Sequence, residues 1–197
     1  MMWSLYIASS NNINIKDSSF IGARAVGVNL RSISNVHLQG VFVADVRRRD
    51  EISDLDGAID KEACIAFCSY WEPNSCYDSS ITYSIAAGCM YGGFVAPGHD
   101  CGDTESQKFR NNVAHSIAGA GAYIYPDPAV DSHKDCYEGS HFSAYKNQEN
   151  GVEANYISKK VHFHDMTFID NKDGLNINAN GETDSQLVMA SDMKIYG

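Results

Sequence analysis

His115 and Ser116 are adjacent, and a histidine beside a hydroxyl can move a proton near neutral pH. One His next to one Ser is no triad, however, and neighbours in a strand point to opposite faces. A corner histidine bonded to backbone is the simpler reading. His162 and His164 alternate with Val161 and Phe163. In a strand both imidazoles would face away from the core, about 6–7 Å apart. That spacing suits zinc or copper when an acid joins, and His141, Asp165 and Asp170 are at hand. Without a helper it is a solvated strand face. Asp165, Asp170 and Asp173 form an acid group of the kind that holds calcium, which needs about six to eight oxygens. Asp170 and Asp173 flank a corner at Asn171-Lys172, where carbonyls could assist. Glycoside hydrolysis needs two carboxylates about 5–9 Å apart. Any catalytic role here would fall to His115 or Asp165.

Cysteine and tyrosine add two further chemistries. The six Cys stand at 64, 68, 76, 89, 101 and 136, and five of them crowd between Cys64 and Cys101. No Cys-x-x-Cys pair is present, so disulfides are expected in preference to zinc. The expectation is at least one bond among Cys64, Cys68, Cys76, Cys89 and Cys101. Connectivity stays open. Cys89 and Cys101 flank a strand and a turn, which makes that pair geometrically feasible. Of eleven Tyr, Tyr123 and Tyr125 would share one strand face, with Tyr6 on another coil. An exposed aromatic row stacks on sugar rings, whereas half-buried packing is the commoner use of Tyr in strands.

The elements that must position these groups are repeats. Leu5, Ile7, Ser9, Asn12, Ile13, Ile15 and Phe20 match Val28, Leu30, Ser32, Asn35, Val36, Leu38 and Val43 at a constant offset of 23 residues. Val161 to Phe168 repeats the pattern of Ile13 to Phe20, and Leu187 to Ile195 is a weaker copy. Each copy ends a strand on a large apolar residue, turns an Asn- or Gly-rich corner, and opens a new strand on Gly. Gly27-Val28, Gly151-Val152 and Gly174-Leu175 are examples. The Leu-x-x-Leu-x-Leu consensus of leucine-rich repeats is missing, and propeller blades need about 40–50 residues. A β-solenoid fits, with coils stacked about 4.8 Å apart. The prediction is an all-β, right-handed parallel β-helix of the pectin-lyase-like kind. Ile13, Ile15, Phe163 and Phe168 should point inward, and Asn14, Lys16, His162 and His164 outward, since a one-residue slip would bury the polar set. Asn111, Asn112, Asn171, Asn176, Asn178 and Asn180 sit where corner amides would bond from coil to coil.

Residues 47–80 break this pattern. Ile59, Ala63 and Phe67 form a short helical stripe, so a partly helical, Cys-rich insertion is expected there. Pro126-Asp127-Pro128 and the polar stretch Asp131 to Ser140 read as a loop excursion.

Bulk properties bound the rest. A chain of 197 residues with 44% hydrophobic and 20% charged content is an ordinary globular balance for one domain. The net charge of −10 argues against wrapping nucleic acid. Arg47-Arg48-Arg49 is followed at once by Asp50 and Glu51, which reads as a solvated corner. No run reaches the ~20 apolar residues of a membrane span. The chain starts and stops inside strand-like patterns, so residues 1–197 read as a β-helix segment of a longer protein.

Gly93-Phe94-Val95-Ala96-Pro97-Gly98-His99-Asp100-Cys101-Gly102, then Phe109-Arg110-Asn111-Asn112-Val113-Ala114-His115-Ser116, carry a resemblance. The chain resembles the right-handed parallel β-helix region of fibrocystin and fibrocystin-like proteins, where this region accompanies a G8 domain. It is also similar to the cell-surface hyaluronidases of the cell-migration-inducing type. The match is close over about residues 80–178, including Phe142 to Asn147, and looser over residues 1–46. The G8 domain itself is not in this chain. The resemblance implies an extracellular or cell-surface location, in some members ciliary. It implies partners among other protein chains or extracellular matrix glycans.

Two functions follow as expectations. The first is a non-catalytic β-helix scaffold without nucleic-acid or membrane contact from this segment and without a cofactor, calcium being the one ion with candidate ligands. The second is a glycan-degrading module, a glycosidase or lyase. A convergent acid or His cluster is what would separate them.

Overall fold

The structure is a computed structural model. It describes residues 4–24, 26–47, 63–67, 76–77, 79–96, 99–100, 108–124, 136–155, 160–178 and 188–197. Among these residues every regular element is a β-strand. The strands join in one parallel sheet that winds as a β-helix. The exception is His99–Asp100, which runs antiparallel to Tyr137–Glu138.

Three columns of paired strands make the walls, each seven rungs deep. The first stacks Leu5, Val28, Ile65, Phe94, Ala122, Val152 and Leu175. The second stacks Lys16, Gln39, Thr82, Arg110, Ser140, His164 and Ser191. The third stacks Phe20, Val43, Ala86, Ala114, Ala144, Phe168 and Ile195. The offset of 23 residues in the first two coils is the register itself, with Leu5 on Val28 and Ile15 on Leu38.

Two columns of left-handed corners bound the short third wall. One carries Asp17, Gly40, Tyr83, Asn111, His141, Asp165 and Asp192, all at positive φ. The other carries Gly22, Asp45, Gly88, Ser116, Lys146 and Asp170, likewise at positive φ. Small polar side chains tolerate this conformation because they bond locally to backbone, which is why Asp and Asn recur there. Just inside the second corner, amides link the rungs. Ile117 N–H donates to Asn147 Oδ1 at 3.0 Å, and Asn147 N–H donates to Asn171 Oδ1 at 3.1 Å. Asn112 is buried and accepts from Ser84 N–H at 2.9 Å. Asn176 and Asn178 pair in the sheet with Glu153 and Asn155, away from the corners. Asn180 lies outside the described residues.

The interior is filled by Phe94, Phe109, Phe142, Phe163 and Phe168, all fully buried. Phe94 meets Phe109 and Phe142 edge-on, at 5.3 and 6.0 Å between ring centroids. Edge-on contact lets the positive rim of one ring meet the negative face of the next. Phe163 and Phe168 point inward, and Ile13 and Ile15 pack half-buried against the same core. Asn14 and Lys16 are exposed, and His162 and His164 are half-buried on the outer side. Opening strands on Gly has a steric cause. A Cβ on Gly121 would lie 2.6 Å from Gly151 O and 2.9 Å from Asn147 Nδ2.

Two expectations are corrected. Ala63 and Phe67 do not share a helical stripe. Ala63–Phe67 is a strand between Val28–Leu30 and Gly92–Val95, so it belongs to the β-helix. It is buried on both faces, which erases the alternation that marks a half-buried strand. Ile59 lies outside the described residues. The end of the expected loop excursion is also strand, since Cys136–Tyr145 pairs along its length with neighbouring coils.

Candidate functional site: a histidine–carboxylate cluster at one corner

Glu138, His141, His164 and Asp165 meet on the outer side of the first corner column. Their positions follow from register. Glu138 stacks beside His162, Ser140 beside His164, and the next residue of each strand, His141 or Asp165, takes the left-handed corner. Strand alternation sends Val161 and Phe163 into the core and leaves His162 and His164 on the outer face.

His164 is held at both ends. Its Nε2 lies 2.6 Å from Glu138 Oε1, and its Nδ1 lies 2.6 Å from Asp165 Oδ2. Ionised carboxylates only accept hydrogen bonds, so both ring nitrogens must carry protons for both bonds to form. Both bonds form together when His164 is an imidazolium between two carboxylates. Burial pulls its pKa down, but the bonds to Glu138 and Asp165 outweigh burial and hold it above the ordinary value. The bond from His164 holds the Asp165 carboxyl below its ordinary value. His141 Nε2 stands 3.8 Å from the same Asp165 oxygen. His162 stacks obliquely on His164 with ring centroids 4.7 Å apart, and its Nε2 bonds Ser191 Oγ at 3.0 Å.

Among the described residues, His141, His164 and Asp165 are the group whose potential metal-ligand atoms all lie within 4.8 Å of one another. Of the residues expected here, His164 and Asp165 are central and His141 joins as a helper. His162 is beside the group and not in it. Asp170 closes the other corner and Asp173 opens the next strand, so the acid group imagined for calcium is not gathered. Glu138 was hidden in the sequence, because it falls in the stretch read as a loop. Aligning it with His162 in coil register is the signal that finds it.

The other candidates sit elsewhere. His115 stacks flat on Tyr145 of the next coil, 4.7 Å between centroids and 7° between planes. Its Nδ1 also reaches Ser116 Oγ at 3.3 Å. The expectation that Ser116 points away is corrected, because its left-handed backbone turns the side chain back. Burial holds the His115 pKa below the ordinary value. Tyr123 does not belong to an exposed row. It is buried, stacked on Tyr91 at 4.9 Å, in a small outer cluster with Ala63, Val95 and Ala120. Tyr125 lies outside the described residues, and Tyr6 is exposed. The expected disulfide is present as Cys64–Cys89, not as Cys89–Cys101. Cys68 and Cys101 lie outside the described residues.

Comparison of the chain with protein-family models, with curated proteins and with solved structures returns no match. Among the described residues no helix is long and apolar enough to cross a membrane.

Proposed function

We propose that this chain is a non-catalytic β-helix module of a fibrocystin-like extracellular or cell-surface protein, and that it docks another protein chain or matrix glycans along one outer face. The observation that carries the reading is an outward column free of acidic and aliphatic-amine charge. Ile21, Ala44, Ala87, His115, Tyr145, Ile169 and Tyr196 stack in register along the third wall. Ile21, Ile169 and Tyr196 are 66%, 37% and 57% exposed. Exposed apolar side chains gathered on one face mark an interaction site more often than single exposed residues do. The parallel β-helix supports the fibrocystin-like assignment. The Cys64–Cys89 bond supports an oxidising compartment, as outside the cell or on its surface, a ciliary membrane included.

The second reading, glycan cleavage, is favoured by the convergence of Glu138 and Asp165 on one corner. Its weakness is chemical. A glycosidase leaves a gap between its carboxylates for the bond to be broken. Here the His164 ring fills that gap and bonds both.

The test is a depolymerisation assay on hyaluronan and related glycans, run beside binding to immobilised matrix proteins and glycans. The docking reading expects no shortening of any glycan, and binding that weakens in Tyr145→Ser and Ile169→Ser. Cleavage abolished by Glu138→Gln in a folded protein would establish the enzyme instead.

A further inference from the structure

We propose that His141, His164 and Asp165 bind one divalent transition-metal ion of the zinc class, with Glu138 orienting His164 from its far side. The donor set is two imidazoles and a carboxylate, which suits zinc, copper, nickel or cobalt and not calcium, whose ligands are oxygens. Metal-bound histidines almost always donate their other ring N–H to a carboxylate or carbonyl. Glu138 Oε1, 2.6 Å from His164 Nε2, is that partner already in place. It keeps the proton on Nε2 and leaves Nδ1 as the donor atom, on the side where Asp165 lies.

The movements required are small. Ligand atoms about 2.0–2.1 Å from a tetrahedral zinc lie about 3.3 Å apart. The Nδ1–Oδ2 contact of 2.6 Å must open, and the His141–Asp165 separation of 3.8 Å must close slightly. A divalent ion in place of the Nδ1 proton would lie directly against the Asp165 carboxylate. His141 and Asp165 have half-exposed side chains, at 50% and 45%, so the ion has an entry path and a position open to water or to a partner's ligand. His141 comes from one coil and His164 and Asp165 from the next, so the ion would also clip two rungs.

The site is tested by titrating the full chain, stripped with chelator, with zinc chloride in a calorimeter and by native mass spectrometry. Cobalt spectra report the ligand type. One ion per chain is expected, with micromolar or tighter affinity, and a cobalt spectrum without thiolate charge-transfer bands. His141→Asn and Asp165→Asn keep the left-handed corner, because Asn tolerates it, and each should weaken binding at least tenfold. His162→Gln should bind as the parent does. No zinc bound by the parent overturns the proposal. So does zinc binding that survives His141→Asn and Asp165→Asn, or cobalt spectra dominated by thiolate.

Discussion

Cys64 and Cys89 join across the interior of a single coil, with Cα atoms 5.7 Å apart. Cys64 follows Ala63, which pairs with Gly92, and so stands level with Gly93. Cys89 stacks between Val46 and Ile117, as the bonds from Met90 N–H to Val46 O and from Ala118 N–H to Cys89 O show. Two coils on, the same two places belong to Gly121 and Asn147, whose contact leaves no room for a Cβ. The disulfide thus fills a space that other coils fill with a glycine and a larger side chain.

That equivalence predicts how the bond can be replaced. It closes a loop with a sequence separation of 25. The chain-entropy estimate for such a loop is about 3.5 kcal/mol. Cys64→Ser/Cys89→Ser should lose about that much in urea unfolding, and reductant should have no further effect through this bond. Cys64→Gly/Cys89→Ile, which copies Gly93 and Ile117, should recover part of the loss. Equal stability of the two variants would show that the space is not shared between coils.

The glycine column makes a second prediction. Gly151→Ala would drive a Cβ into the Phe168 ring at Cδ1 and place it 2.6 Å from Gly174 O. The backbone oxygen cannot swing aside, so overpacking should cost about 1–3 kcal/mol or more. Gly22→Ala meets nothing within 4 Å and suffers only its positive φ of 78°. Its cost should be about 1 kcal/mol. Thermal unfolding of the two variants checks the order, and an equal or reversed order would mean that steric contact is not what selects Gly151.

Much of this fold is legible in the sequence where coils are short. Ile13, Ile15 and Phe20 display their register because the next coil is the same length. The third coil is not legible. Val28 pairs with Ile65, so the constant offset of the first two coils does not carry into the third. Ala63–Phe67 then loses its alternation to burial on both faces, and the spacing of Ala63 and Phe67 imitates a helix. The site was half legible for the same reason. His164 and Asp165 are neighbours in sequence. Glu138 lies 26 residues before His164, and only stacking brings it to the ring.

The amide column predicts a cost for Asn147→Ala. Asn147 is buried, accepts from Ile117 N–H, and donates from Nδ2 to Asn171 Oδ1 at 2.9 Å. Truncation orphans a buried backbone donor, which costs about 1–3 kcal/mol. Hydrogen exchange at Ile117 should accelerate more than at Ile81, whose coil does not use this amide. Uniform acceleration of both would mean that Asn147 acts through global stability and not through its bond.

His115 and His164 should give stability opposite dependences on pH. For His164 the folded pKa is raised above the ordinary 6.5. Its contribution is fully present below that value and is lost as pH rises through the folded pKa. The groups that face it are Glu138 and His141 from one coil, His162 and Asp165 from its own, and Ser191 from the next, with Lys194 acting on Asp165. Asp165 works in the other direction, because its folded pKa is depressed below the ordinary 3.8. Its contribution is present above that value and is lost as pH falls through the folded pKa. The cluster is therefore most stabilising between these two ordinary values. For His115 burial lowers the folded pKa below 6.5, with Tyr145 and Ser116 against its ring. Protonation then favours the unfolded chain, so stability is present above that value and falls on acidification through the folded pKa. Thermal unfolding in chelator at about pH 5 and about pH 8, on either side of the ordinary histidine value, reads both effects. His164→Gln should lose more against the parent at the lower pH than at the higher. His115→Asn should close on the parent, or overtake it, at the lower pH, because it has no proton to take up. Differences that do not change with pH would mean that the Glu138–His164–Asp165 chain carries no net charge pairing and that the His115 ring is not held neutral by its stack.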